Sequence, residues 1–351
     1  MTINTRNKRV SIILLTYNNN KDLAECIPSI FNQTYKDFEL MIIDNGSTDG
    51  TIEFIKTNYP EIKLIETNSN LGYAGGNNIG FRHAKGDYIV VINPDTFVDP
   101  NWLVNLIKPL EEDPHIGITN PKVLEYNDRD HGSCGNTSHY TGLHFPRGLE
   151  KSAATFTKPE IVSAISGCSF AIRREVLSRL KGFDPDYFLY LEDSDLSLRA
   201  RLAGYDIMFT PESIVYHKHK TIITPQKEYY LERNRYMLLL KCYSMKLLII
   251  LLPAFILTEI VTWTHAAING YKFAYSKLRA YGWILFNVGK ILEKRQDVKA
   301  LKKISDRKFL QLIEPEIPFE QIIESRMICT ISDVVINSFY RAYFRFAKRL
   351  V

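Results

Sequence analysis

Val10-Ser11-Ile12-Ile13-Leu14-Leu15-Thr16-Tyr17-Asn18 is a short apolar run that breaks at once into polar residues. It reads as a β-strand that ends in polar residues. Three further β-rich runs follow in the first hundred residues: Phe38 to Ile43, Lys63 to Glu66 and Tyr88 to Ile92. Between the first two, Lys21 to Gln33 carries Leu23, Ile27 and Ile30 at helical spacing, and Asp49 to Thr57 carries Ile52 and Ile55. Strand and helix in alternation predict an α/β fold with a mostly parallel sheet flanked by helices. Ligands bind such sheets outside the carboxyl ends of the strands. The segments to watch are therefore Thr16-Tyr17-Asn18, Asp44-Asn45-Gly46 and Asn93-Pro94-Asp95.

The remainder of the chain bounds this reading. With 351 residues, 45% hydrophobic and 24% charged, it has enough apolar mass for two domains or one domain with a large extension. A net charge of +5, without zinc-finger spacing or RNP-like aromatics, gives no basis for a nucleic-acid partner. Five scattered cysteines with no CxxC pair argue against a disulfide framework or a zinc site and fit a reducing cytoplasm. Met1 to Arg9 has no apolar signal core. From about 125 to 160 the chain is rich in Gly, Ser, Thr, His and Asn and reads as a long loop or irregular hairpin near a site. From Tyr229 onward the pattern is helical.

Four clusters carry chemistry. Ile89 to Ile92 is a strand that Asn93-Pro94-Asp95 terminates, presenting Asp95 at the sheet edge. A carboxylate there serves either as a turn former or as a ligand for a hard cation that neutralises a diphosphate. Glu192, Asp193 and Asp195 lie within four positions, and their mutual repulsion raises the proton affinity of at least one, which suits a general base. If a helix begins near Asp193, Asp195 is a cap or first-turn residue. Ile214 to His219 is a short apolar strand that ends in His217-Lys218-His219, where an imidazole is either structural or a metal ligand. Finally, Asn70 to Gly80 is glycine-rich and is expected to precede a helix whose N-terminus could face phosphate, but it matches neither GxGxxG nor GxxxxGK[ST]. This excludes the nicotinamide-cofactor and P-loop fingerprints.

In this order the clusters resemble the family 2 glycosyltransferases of GT-A (Rossmann-like) fold, over roughly Val10 to Lys241. Asn93-Pro94-Asp95 stands where that family has its DxD metal motif, with Asn93 in place of the first Asp. Tyr190-Leu191-Glu192-Asp193 stands where it has its ED base motif, and Tyr229 to Arg235 resembles the YxxRN segment of rhamnosyltransferase-like members. The resemblance implies a donor pocket for a nucleoside diphosphate sugar made by Thr16, Tyr17, Asn18, Asp44, Gly75, Gly76, Asn77 and Asn93, with Ser166 and Gly167 bordering the donor sugar or acceptor. It implies Mg2+ or Mn2+ on Asp95 and His217, and Asp193 as catalytic base assisted by Glu192, in an inverting transfer of one sugar. The acceptor it implies is a glycan or a lipid-linked hydroxyl in cell-surface polysaccharide synthesis, with dTDP-rhamnose the first candidate donor. The processive QxxRW segment is absent. The competing reading is a catalytically silent sugar-nucleotide or glycan-binding module, which has no reason to keep the acids at 192–195.

A division into a transferase domain, 1–240, and a helical C-terminal region, 241–351, follows. Leu247 to Trp263 is apolar but short for a span and is interrupted by Pro253 and Glu259. Lys241, Lys246, Lys272, Lys277 and Arg279 flank it with several Trp and Tyr residues, as suits an anionic membrane surface. A homodimer interface is the alternative. The basic amphipathic stretch Ile328 to Val351 reads as a tether or a packing element. The expected location is cytoplasmic, peripheral at the inner face of the cytoplasmic membrane.

Overall fold

The computed structural model describes residues 9–218, 222–323 and 325–351. The N-terminal half runs β1 (Val10–Thr16), α1 (Asn20–Phe31), β2 (Phe38–Asp44), α2 (Thr51–Asn58), β3 (Lys63–Glu66), α3 (Gly72–His83), β4 (Tyr88–Ile92), β5 (Thr96–Val98), α4 (Trp102–Glu112) and β6 (Ile116–Glu125). Short strands β7 (Gly132–Ser133), β8 (Asn136–Ser138), β9 (His144–Pro146) and β10 (Glu160–Ile161) occupy the stretch expected to be a loop or irregular hairpin, and β8 and β9 form that hairpin. Then come β11 (Ser169–Arg173), α5 (Arg174–Leu180), α6 (Glu192–Leu202) and β12 (Asp206–His217). The C-terminal part is helical: α7 (Pro225–Cys242), α8 (Met245–Ile250), α9 (Leu252–Ile268), α10 (Tyr271–Leu301), α11 (Asp306–Phe309), α12 (Arg326–Ser332) and α13 (Ser338–Leu350).

The main sheet has the order β10-β12-β6-β11-β4-β1-β2-β3, with β5 and β7 paired to β12 and β6. β3, β2, β1 and β4 are parallel, as the alternation of strand and helix requires. Beyond them the sheet is mixed, because β11 enters antiparallel between β4 and β6. The strand period of two explains why the central strands are apolar throughout. On β1, Val10, Ile12 and Leu14 pack with α1 and α4, while Ile13 and Leu15 join Met41, Ile43, Leu177 and Leu196 on the other face. Both faces are covered, so alternation disappears from the sequence.

A third apolar cluster joins the C-terminal helices to the sheet domain. It contains Leu198 and Leu202 of α6, Met237 to Leu239 of α7, Leu247 and Leu251, Ile291 and Val298 of α10, and Tyr340 and Phe344 of α13. Residue 240, where the sequence pattern changes, lies in the last turn of α7. Among the described residues no helix is long and apolar enough to cross a membrane.

Candidate active site

At the carboxyl ends of β1, β2 and β4 lies a cleft of about 260 Å³ lined by Thr16, Tyr17, Asn45, Asn70, Gly72, Tyr73, Asn93, Asp95, Phe188 and Leu189, among others. Its position follows from the parallel strands, whose polar ends leave a crevice where the helices diverge. Asp44, at the end of β2, is fully buried. Its Oδ2 accepts from the backbone N–H groups of Gly46 and Ser47, both at 3.0 Å, while Oδ1 has no hydrogen-bond partner. The buried Thr16 hydroxyl is likewise unpartnered. Two orphaned polar atoms at the strand ends are what a ligand rich in hydrogen-bonding groups would satisfy.

Among the described residues that line the cleft, Asp95 is the only charged one. Its Oδ1 lies 3.2 Å from His217 Nε2, at the end of β12. Burial alone would lower the His217 pKa, but Cys168 and Asp95 outweigh it and push it up to about 11. A diphosphate entering the cleft would stand beside the Asp95 carboxylate and the His217 imidazole paired with it. A carboxylate oxygen beside an imidazole is donor chemistry that Mg2+ or Mn2+ would accept once the imidazole gives up its proton. Among the described residues no group of three His, Cys, Asp or Glu side chains is arranged to hold a metal. Asp95 and His217 are the two side chains that could hold a cation, and its other ligands would have to come from phosphate and water.

Asp193 stands in the first turn of α6, where the helix dipole favours negative charge. Its Oδ2 accepts from Gly167 N–H at 2.8 Å, and its Oδ1 from Ser194 N–H at 2.7 Å and from the Ser194 hydroxyl at 3.3 Å. A Cβ on residue 167 would come within 3.2 Å of Asp193 Oδ2, so glycine permits this approach. Burial raises the Asp193 pKa, against the lowering pull of the Ser194 and Gly167 hydrogen bonds. Glu192 is pushed well above the usual carboxylate range, first by burial and then by Asp193 beside it, and its Oε2 lacks a partner. Asn93 N–H donates to Cys168 O at 2.9 Å, and Tyr73 OH donates to Gly167 O. The segment 166–168 therefore ties the end of β4, which carries Asp95, to Asp193.

Residues 11–181 match the model of glycosyl transferase family 2. The chain carries a family 2 glycosyltransferase domain. An N-acetylglucosaminyl-diphospho-decaprenol L-rhamnosyltransferase of Mycobacterium tuberculosis is 27% identical over 232 residues, 60% of this chain and 75% of the relative. Among solved structures, GalNAc-T7 with UDP, GalNAc and Mn2+ superposes with a TM-score of 0.55 at 20% identity, over 66% of this chain and 47% of its own. TarS 1-349 from S. aureus in complex with UDP gives 0.52 at 15% identity, over 97% and 89%. These likenesses establish the GT-A fold, mixed α/β with a central sheet flanked by helices.

Within the transferase domain, Thr16, Tyr17, Asn93 and Asp95 line the cleft, and Asp44, Gly167, Asp193 and His217 cluster around it through the contacts above. Ser166 donates its N–H to Asn120 Oδ1 at 2.6 Å, which orients the turn before Gly167. Other expected residues sit elsewhere. A Cβ at Gly76 would fall 2.4 Å from Leu15 Cδ1, so this glycine lets α3 pack closely on β1. Asn77 is fully buried, with Nδ2 donating to Tyr73 O within its own helix, and Gly75 is not among the lining residues. The Asn18 side chain accepts from Thr48 N–H at 2.8 Å and its own N–H donates to Ser47 Oγ, so it braces the loop after β2. Asp195 is a first-turn residue of α6 rather than its cap, and it is buried between Arg199 and Lys241, with Nζ of the latter at 2.6 Å. His219 lies outside the described residues.

Side chains from two of the segments singled out in sequence, but given no role there, supply the framework of the cleft. Asn45 Nδ2 donates to Asn70 Oδ1 and to Gly72 O, and Asn45 Oδ1 accepts from Leu71 N–H, joining the ends of β2 and α3. The signal was a second Asn after a strand-end Asp, facing an Asn-x-Gly turn. Two of the five cations assigned to a membrane face also need correction. Lys241 is buried against Asp184 and Asp195, and Lys277 against Glu232 and Glu259, because a lysine in a packed helical layer requires carboxylate partners.

Proposed function

We propose that this chain moves one sugar from a nucleoside diphosphate sugar to a hydroxyl of a lipid-linked or glycan acceptor, with inversion at the anomeric carbon. The observation that carries the reading is Asp193: a half-buried carboxylate of raised pKa, fixed by Gly167 N–H and joined through residues 166–168 to the Asp95 turn. Asp193 takes the proton of the acceptor hydroxyl as its oxygen bonds to the anomeric carbon, and the bond from that carbon to the diphosphate breaks on the opposite face. Glu192 supports the local acidity, and Asp44 and Thr16 offer acceptor and donor atoms to base or ribose. Asp95 and His217 would hold Mg2+ or Mn2+, which when bound neutralises charge on the departing diphosphate.

The relative's acceptor, an N-acetylglucosaminyl-diphospho-decaprenol, supports a lipid-linked acceptor, and its activity supports dTDP-rhamnose as first donor to try. Functionally we divide the chain into a transfer unit, 1–240, and a helical unit, 241–351, that meets the acceptor's surroundings. Exposed Met245, Ile249, Leu252, Ile256 and Ile260 on α8 and α9, with exposed Arg345 and Arg349 on α13, support contact with the inner face of the cytoplasmic membrane. A second copy of the chain is the other occupant this face would accept.

The test is a thermal-shift panel of nucleotide sugars with Mn2+ or with chelator, on wild type and Asp95→Ala. A donor at 100 times its Kd stabilises by about 2.7 kcal/mol. We expect one donor class to stabilise the wild type with Mn2+, and Asp95→Ala to lose only the metal-dependent part. Equal loss in chelator refutes the metal role, and no shift with any nucleotide sugar refutes the transferase reading.

A further inference from the structure

The segment leading into α6 has an unusual backbone. Phe188, Tyr190 and Leu191, none of them glycine, have φ of 61°, 68° and 62°. L-residues avoid this left-handed region unless the surroundings impose it. What imposes it is a pair of adjacent residues on α7. Asn234 is fully buried, and its Nδ2 donates to the carbonyls of Tyr187, Leu189 and Tyr190 at 3.1, 2.9 and 2.6 Å. Arg233 Nη2 donates to Asp186 O and Tyr187 O, both at 2.7 Å. Arg233 Nε also donates to Asn234 Oδ1 at 2.8 Å, which fixes which end of the amide faces the carbonyls.

The clamped segment touches both halves of the site. Phe188 and Leu189 wall the cleft, and Phe188 O accepts from Ala74 N–H at 3.2 Å on α3. Gly72 fits this contact, since a Cβ there would lie 2.3 Å from Phe188 O. Two residues beyond Leu191 stands Asp193. Any rotation of the peptide planes from 187 to 190 would shift the cleft wall and the first turn of α6 together.

We propose that Asn234, oriented by Arg233, is a positioning residue for Asp193: its three-way amide clamp holds the left-handed segment and so sets where the base stands relative to the donor cleft. The assignment rests on Asp193 being the base. Asn234 touches neither substrate nor reacting atoms; it acts through the backbone of 187–190.

The decisive variant is Asn234→Asp, which keeps the shape but turns three donated contacts into oxygen facing oxygen. Asn234→Ser, with one hydroxyl donor, is the milder companion if the first folds poorly. A misplacement near 1 Å lowers turnover on the order of 10²-fold. We expect kcat per folded molecule to fall by about that factor in Asn234→Asp and less in Asn234→Ser, with the donor Kd by calorimetry moving only several-fold. Amide exchange should quicken at Phe188 to Leu191 and stay unchanged on β1 and β4. A lower melting temperature with unchanged kcat and unchanged exchange at 188–191 would show a purely structural role and overturn the clamp. Asp193→Asn is assayed alongside: if it is inactive while Asn234→Asp is near normal, the clamp alone is wrong, and if it is fully active, the base assignment falls and the clamp with it.

Discussion

At the scale of single residues, three acids within four positions have three different fates. Among the described residues Glu192 is buried without a partner for Oε2, Asp193 accepts from Gly167 N–H beside the cleft, and Asp195 is buried in ion pairs with Arg199 and Lys241. The sequence showed their crowding but not which would be neutralised, because Lys241 arrives from a helix 46 positions away in sequence terms that no local pattern reveals. Breaking a buried pair by removing one partner leaves the other charge uncompensated and costs roughly 3–5 kcal/mol. Asp195→Ala is therefore expected to lower stability by an amount of that order in denaturant unfolding, while the molecules that remain folded bind donor normally. Loss of donor affinity without loss of stability would move Asp195 from the framework into the site.

At the scale of elements, the strands and the helix beginning near Asp193 were legible because burial on both faces and the acid-rich first turn leave local marks. The glycine-rich stretch is harder to read, because a glycine that admits a ligand and one that admits a neighbouring strand look alike in sequence. For Gly76 the structure adds a 2.4 Å approach of a Cβ to Leu15 Cδ1, which is a packing role. Gly76→Ala should overpack the α3–β1 contact and destabilise by about 1–3 kcal/mol, with the donor Kd of folded protein little changed. A tenfold weaker Kd at unchanged stability would return Gly76 to the phosphate site. The helical region was legible as helix, but its cations were not legible as buried, since Lys241 and Lys277 meet their carboxylates across helices. The apolar stripe remains the surface to test: Ile249, Ile256 and Ile260 are 68%, 56% and 59% exposed. Changing all three to Asp should abolish flotation with anionic liposomes while leaving the melting temperature unchanged. A wild type that ignores such liposomes and sediments as a dimer would assign the stripe to a second copy.

At the scale of the whole molecule, the buried charges give stability a pH dependence. Burial first, and then Glu232, push Glu228 up to about 7 from its ordinary 4.5. Between those values the folded chain holds a proton that the unfolded chain has released, so this group's contribution to stability falls as pH rises through that window. Glu228→Gln removes the effect. Its melting temperature should exceed that of the wild type above pH 7, and the gap should close toward pH 4.5; a constant gap would contradict the assignment. Turnover is the other property of the whole, since donor cleft, Asp95 turn and α6 must be assembled at once. The most direct measurement is steady-state transfer by Asp193→Asn beside calorimetric donor binding. The amide keeps the size of the carboxylate and cannot take the proton, so turnover should fall by about 10²- to 10⁴-fold with donor affinity little changed. Near-normal turnover in Asp193→Asn, with collapse in Glu192→Gln instead, would contradict the assignment of the base.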